Sequence, residues 1–562
     1  MSNDPPHSDA TLAIAPQAGG KVYLYDPIEV NQLDMNASVT GSATNRAFLL
    51  QVAGAGDFFW GGDNVFKVGD YDGSTHQVSN IVELQPGSRT HLMAGMSLDA
   101  PKHDFLLKPG GYLAPGINGD GTLNSFLKIN SAKLGGTVHF ALNVDFLNDK
   151  SKSLLEIQTA AGKKVDISGS TISLGDFVYS GDLGDGDMFY LLDAKDYGQI
   201  EGTPQNSSAT AMKNLAVEYT FLIDTEAADN EPGKGGRKLV ARLASVAPAP
   251  QTKALTEGYA AGLVFLSHIG SWLPDYSYYT AELAIRKPNA WQAFSGFDAS
   301  SFKAITGSYV KVQGLAFVLG AAAKYQNPMG SFLFGGFVEG GVSDYKVVTD
   351  VVTSDLREVG GNGVMRSLGF GLMASQKFEN GFRVETTFRH GVLKNDFVAE
   401  NYVSASGAVA KYSLVTPYYG AHLALAYTQG LGDYGSLDYS VKYYYSRLAG
   451  KTLALGHGDK VSYKDTNSHR VRAGIRYSKP FTESLALFAG AHFDHEFDNM
   501  ARATVYGMDV KTAGIKGSSG IFELGATVRP KASDHLSFEF GVQAYAGTFR
   551  GASGGIRVGY EF

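Results

Sequence analysis

The chain has 562 residues and a formal net charge of -7, with 69 Gly, 30 Tyr, 33 Phe and no Cys. The missing thiols exclude disulfides and thiolate metal sites, and the acidic balance offers no clustered Lys and Arg face for nucleic acid. A Gly-rich, aromatic-rich composition describes an all-β chain, and without any run of ~18 uncharged apolar residues a transmembrane helix is not expected, whereas β-spans of ~9–11 residues escape such a scan.

The chain opens on Met1-Ser-Asn-Asp-Pro-Pro-His-Ser-Asp9, which has neither a basic nor an apolar signal region, so an export segment is expected upstream of it. Residues 1–246 are short β-like runs closed by Gly, Asn or Asp, as in Phe105-Leu-Leu-Lys-Pro-Gly-Gly-Tyr-Leu-Ala-Pro-Gly116 and Leu134-Gly-Gly-Thr-Val-His-Phe140. Regular spacing of short strands predicts the coils of a parallel β-solenoid, each rung burying its inward residues on the next. An irregular sandwich is the plainer alternative.

This region gives chemistry no foothold. Asp182, Asp185 and Asp187 resemble a calcium loop only superficially, lacking both the distal bidentate Glu of an EF-hand and tandem nonapeptides, and they read as a solvated turn. His91, His103 and His139 have no partner at interpretable spacing, and no nucleophile elbow, zinc-binding helix or phosphate loop occurs. No catalytic, cofactor-binding or metal-binding residue is assigned, and an enzyme is not expected, although a triad assembled from distant loops leaves no spacing signature.

Residues 247–285 form a joint, opening on Ala247-Pro-Ala-Pro250, whose prolines interrupt a continuing ladder. A helix is predicted at about 253–270, with Leu255, Tyr259, Leu263 and Leu266 on one apolar stripe and Glu257 and His268 between them. Its small residues Ala260, Ala261 and Gly262 permit close approach to a neighbour. A cap helix lying on a sheet is the plainer alternative.

Residues 286–562 contain twelve alternating segments: 290–299, 309–325, 330–348, 367–378, 381–397, 416–431, 435–450, 468–481, 485–497, 518–532, 536–547 and 553–562. The number is even, as a closed bacterial barrel requires, and the segments exceed soluble strand lengths. Val441, Tyr443, Val471 and Ile475 alternate with charged residues, and Lys or Arg facing lipid would cost ~2–4 kcal/mol at the midplane, so the charged face is assigned to a lumen. Arg383, Arg389, Arg470, Arg472, Arg476, Glu339 and Glu385 are its expected lining, in opposite-sign sets. At the end Ile556, Val558, Tyr560 and Phe562 alternate with Gly555, Arg557, Gly559 and Glu561.

Several motifs follow one another in a specific order: Leu113-Ala-Pro-Gly116 with Gly121-Thr-Leu123, then Gly186-Asp-Met-Phe-Tyr-Leu-Leu-Asp-Ala194 with Gln199-Ile-Glu-Gly202, then the helix from Ala254 to Gly270, the twelve strands and Phe562. In this order the chain resembles the classical (type Va) autotransporters over most of residues 105–562. The resemblance implies a right-handed parallel β-solenoid passenger stem (1–246), a linker with a barrel-plugging helix (247–285) and a 12-stranded antiparallel transmembrane β-barrel (286–562). It implies that Glu257, Tyr259, Ala261 and Gly262 pack in the lumen against a wall including Glu385, Arg472 and Arg476. Ile556, Val558, Tyr560 and Phe562 would be the signal read by the barrel-assembly machinery.

The implied protein is a monomer in the outer membrane of a Gram-negative bacterium, with outer-membrane lipid as partner and an adhesin-like passenger at the cell surface. Some autotransporters cleave the passenger off at a paired Asn in the helix, but residues 252–270 contain no Asn, so a passenger left attached or cut by another protease is expected. An outer-membrane porin or channel, and an exported hydrolase, are the competing functions.

Overall fold

The computed structural model describes the chain except residues 1–9, 33–47, 69–79, 117–124, 178–180, 196–198, 228–236, 285–289, 307, 351–357, 405–406, 456–457 and 534, and of residues 273–284 it describes only the backbone. It divides into two units, Met1–Ala247 and Pro248–Phe562.

In the first unit, successive strands stack in parallel on three faces. One face runs Ala10–Ile14, Phe48–Val52, Asn80–Leu84 and then His103–Leu107. The next runs Lys21–Leu24, Asp57–Trp60, Arg89–Leu92, Tyr112–Ala114, Thr137–Phe140 and Thr171–Leu174. The third begins with Glu29–Gln32 and Asp63–Val68 and reaches Met188–Lys195. This is the parallel β-solenoid that the short, turn-bounded runs predicted.

Its core is a column of inward residues, among them Leu50, Phe58, Trp60, Phe66, Val82, Leu98, Phe105 and Leu127, all essentially sealed from solvent. Each such side chain contributes up to ~1.5–3 kcal/mol, and because the partner is always the next rung, stability accumulates along the stack. Asn64 closes one corner, accepting from Trp60 Nε1 at 3.0 Å and donating to the carbonyls of Gly61, Gly62 and Ser97 at 3.0–3.1 Å. The Pro-Gly to Gly-Thr-Leu turn falls partly on 117–124, outside the described residues.

The last strands depart from the solenoid pattern. Ser208–Lys213 and Val217–Ala227 form an antiparallel hairpin around Asn214, whose φ is 51°, and Arg237–Pro248 runs antiparallel to Met188–Lys195. Alternation alone cannot separate a parallel rung from an antiparallel hairpin; the left-handed Asn that turns the chain back was the available signal.

The second unit is a closed barrel of twelve antiparallel strands: Trp291–Ile305, Tyr309–Asn327, Gly330–Asp350, Glu358–Phe378, Phe382–Val403, Val409–Gly430, Ser436–Leu448, Thr466–Thr482, Leu485–Glu496, Gly517–Val528, Leu536–Gly547 and Phe549–Glu561. Each pairs with its sequence neighbour, and the first pairs with the last, placing Phe297 opposite Ile556. All twelve predicted segments are strands. Several are longer than predicted, the fourth starting at Glu358 rather than 367 and the sixth at Val409 rather than 416, because these ends extend past the apolar band where polar residues alternate on both faces.

Val441, Tyr443 and Ile475 are exposed on the outside, with Val471 half-buried on the same face, while Asp438, Lys442, Arg472 and Arg476 are buried inside. On the second strand the outward apolar residues run from Leu315 to Tyr325. At ~3.3 Å per residue and a tilt of about 40°, the rise from one to the other makes a band about 25 Å tall, the height of a bilayer core. At one end it is rimmed by exposed aromatics including Trp291, Tyr325, Phe382, Tyr427 and Phe562. That end also carries the short turns, such as 328–329 and 483–484, whereas the long connections 449–465 and 497–516 lie at the other.

Candidate functional site: the helix-filled lumen

The strand ending at Pro248 gives way to a short 3-10 turn, Pro250–Thr252, and then to a single α-helix, Lys253–Ala284, of 32 residues. At 1.5 Å per residue it is about 48 Å long, more than the barrel's apolar band is tall. No helix among the described residues is long and apolar enough to cross a membrane by itself. This one contacts strands around the barrel circumference and is enclosed by them.

One expectation about the helix is corrected: it does not stop at Gly270. From Lys253 to Trp272 every residue except the half-buried Gly270 is buried. Gly270 instead makes room for a side chain, since a Cβ there would lie 2.6 Å from Arg389 Nη2. A closed wall on all sides removes the distinction between apolar and polar faces and satisfies polar groups individually.

The predicted packing residues are all in the lumen. Ala261 is sealed, and a Cβ on Gly262 would come within 2.7 Å of Leu393 Cδ2, so the glycine permits the helix to lie against the wall. Gly258, one turn earlier, does the same beneath Tyr412 and Phe397. Tyr259 stacks on Tyr463 with ring centroids 4.4 Å apart and donates to the Ala449 carbonyl at 3.0 Å.

Glu257 does not meet the arginines the sequence offered. Its carboxylate accepts from Thr306 Oγ1 at 3.0 Å and from Thr349 Oγ1, and Lys253 Nζ lies 3.2 Å from it. Arg472 pairs with Asp494 at 3.1 Å, Arg476 lies 3.6 Å from Glu539 and 3.9 Å from Glu523, and Glu385 pairs with Arg383. Glu257 sits at the long-loop end and those arginines lie deeper, which one-dimensional alternation could not convey.

What the wall does hold is the helix backbone. Tyr463 OH donates to the Leu255 carbonyl at 3.0 Å, Asn395 Nδ2 to Gly258 at 2.9 Å, Arg389 Nη2 to Leu266 at 2.8 Å and Arg470 Nη2 to Ser267 at 2.9 Å. Arg389 Nη1 also lies 3.2 and 3.3 Å from the two oxygens of the sealed Glu339, which accepts from Tyr418 OH at 2.6 Å. His268 Nε2 lies 2.6 Å from Asp298, and the Arg557 guanidinium sits 5.4 Å over the Trp272 ring while pairing with Glu539 at 3.0 Å.

Sequence reasoning had Arg389 and Arg470 as lumen residues but missed Lys253, Asp298, Thr306, Thr349, Asn395, Asp494 and Tyr463. Asp298 was findable, as an acid alternating with Phe297 and Ala299 in the first strand. Among the described residues no group of three or more His, Asp or Glu is placed to hold a metal ion. In the solenoid, Asp182 pairs with Lys213 at 2.8 Å, and Asp187 accepts from Asn148 and the Gly184 amide.

A closed twelve-stranded barrel, apolar outside and polar inside, with a helix through its lumen, is an outer-membrane barrel of the kind that carries a preceding chain segment. Residues 286–543 match the family model described as the autotransporter beta-domain. That region is an autotransporter beta-domain, a bacterial outer-membrane barrel.

Among solved structures it is similar to the translocator domain of the autotransporter NalP from Neisseria meningitidis, at 15% identity over 55% of this chain and 99% of that one, with a TM-score of 0.41. The transport unit of AIDA-I from Escherichia coli is similar at 16% identity over 56% and 99%, TM-score 0.37, and the beta domain of the Bordetella autotransporter BrkA at 14% over 49% and 100%, TM-score 0.38. No curated protein matches the chain.

Proposed function

We propose that the barrel holds the chain in the outer membrane with residues 1–246 displayed at the cell surface as an attached, adhesin-like, non-enzymatic passenger, and that the helix seals the pore once this segment has passed. The supporting observation is where the helix begins. Lys253 Nζ donates to Ser308 at 2.7 Å and Thr256 Oγ1 to the Lys511 carbonyl at 2.9 Å, both in connections at the long-loop end. Long loops of such barrels face outward and short turns face the periplasm, so the chain preceding Lys253 leaves on the outer side.

An open solute channel fits poorly with a lumen occupied by side chains on every face of the helix. The work of export would come from rung-by-rung stacking of the solenoid outside, each rung opposing return. The protein would act as a monomer, inserted by the barrel-assembly machinery through its last strand.

Impermeant thiol labelling of Lys460→Cys and Thr137→Cys on intact cells tests the orientation in this Cys-free chain: labelling of both is expected, and protection of both until the outer membrane is opened would overturn it. Single-channel recording tests the seal. Small conductance from the intact chain, rising on deletion of residues 251–280, is expected, and large steady conductance before the deletion would point to a porin.

A further inference from the structure

On the barrel's outer wall, beyond the apolar band at the long-loop end, one row of directly opposed residues crosses seven strands. Arg550 stands opposite Lys303, Lys303 opposite Lys311, and Lys311 opposite Lys346, after which the row continues through Asn362 and Val398 to Lys411. All five cations face outward and are exposed. Like charges directly opposite on neighbouring strands destabilise a sheet, so four in succession call for an external anion.

The row is not neutralised from within the protein. Lys311, Lys346 and Lys411 make no ion pair among the described residues, and Lys303 sits over the Tyr309 ring at 3.9 Å. In the row below, Asp396 is engaged by Lys394 at 3.5 Å and by Arg366 at 3.8 Å; Asp344 in that row and Glu400, two residues beyond Val398 on the other side, are exposed carboxylates without an ion pair among the described residues, two against five cations. Lys311, Lys346 and Lys411 line a shallow groove of about 840 Å³ on this wall.

Depth supplies the second argument. Lys311 lies four residues beyond Leu315, the last outward apolar residue of its strand, which is about 13 Å along the strand and about 10 Å along the barrel axis. That is headgroup depth, with acyl chains directly below against Leu315, Val342 and Val415.

We propose that this row is a binding site for the phosphate groups of an acylated, phosphorylated glycolipid of the outer leaflet, whose chains lie on the apolar band beneath. Phosphate accepts from several ammonium groups at once and relieves their mutual repulsion, and an amphiphile adds apolar contact that a free phosphate ion lacks. The placement in the outer leaflet rests on the orientation proposed above; the chemistry of the row does not.

The test uses the full chain in a neutral detergent and native mass spectrometry with diphosphorylated lipid A as probe. Bound lipid A is expected on the unmodified protein, weakened by added salt, and reduced about tenfold in Lys311→Gln/Lys346→Gln, roughly the factor carried by one charge-assisted hydrogen bond. Lys479→Gln at the opposite end is expected to bind as the unmodified protein does. Equal binding by the double variant, by dephosphorylated lipid A or by phosphatidylglycerol would overturn the proposal. Micellar binding is independent of orientation, so a failure here is distinguishable from a failure of the cell-labelling experiment.

Discussion

Arg389 holds two structures at once, and its removal gives the sharpest test of how the lumen is built. Its Nη1 lies 3.2 Å from a carboxylate, Glu339, with no solvent exposure, and its Nη2 bonds the Leu266 carbonyl of the helix at 2.8 Å. Arg389→Ala deletes both and leaves the Glu339 charge facing only Tyr418 OH. Stranding one partner of a buried pair costs about 3–5 kcal/mol, far above the ~1 kcal/mol of an ordinary lost hydrogen bond. Glu339→Gln in the same background removes the stranded charge and should recover about half of that loss, a coupling that distant sites would not show. The assay is urea unfolding of the refolded barrel in lipid vesicles, read as the midpoint for the single and double variants. A single variant within about 1 kcal/mol of the unmodified protein, or strictly additive losses, would show that Glu339 is solvated or protonated and that the lumen is wet there.

Gly258→Ala should destabilise the barrel by about 1–3 kcal/mol in the same assay, even though alanine favours a helix by ~1 kcal/mol, because its Cβ would lie 2.8 Å from Tyr412 OH and 3.0 Å from Phe397; a gain in stability would mean the helix is not held against that wall. In the solenoid, burial pushes the sealed His103 down to about 4 from 6.5, so its neutral form is the one the fold accepts. The unfolded chain then binds the proton first as the medium acidifies, and stability present above pH 6.5 should fall by up to about 3 kcal/mol towards pH 4. His103→Phe should flatten that slope in pH-dependent unfolding followed by circular dichroism, and an unchanged slope would assign it elsewhere. Phe562→Ala should lower the yield of assembled barrel in the outer membrane, since it keeps the backbone bond to Trp291 but removes the ring that packs edge-on to Tyr560 at the seam; an unchanged yield counts against a role in assembly.

The barrel was legible because a strand's period of two forces one decision per residue. Once Arg472 is on one face, Ile475 is on the other, and the membrane makes that choice costly to violate. Depth was not legible. Glu257 and Arg476 are both lumen residues on any reading, yet one is bonded at the long-loop end and the other near the opposite mouth beside Phe488, and only the stagger between strands fixes this. The helix boundary failed for a related reason. Gly270 carries the same letter as a cap, but its function is the space it leaves for a guanidinium from a strand more than a hundred residues away.

The four wall-to-backbone bonds also bear on when the helix forms. Carbonyls of Leu255, Gly258, Leu266 and Ser267 are spaced along about three turns and are met by Arg389 and Asn395 from one barrel strand, Arg470 from another and Tyr463 from the 449–465 connection, so the set is satisfied at one axial position only. Sliding by one residue would break all four and drive Leu393 and Phe397 into positions where Gly258 and Gly262 no longer make room. At ~1–3 kcal/mol each, loss of these bonds alone would oppose movement by several kcal/mol, before any packing is counted. A chain in transit through the same lumen cannot make them, because its sequence is different at each moment. On the export route proposed above, residues 253–272 are then the place where movement ends, and the helix acts as a stop as well as a seal.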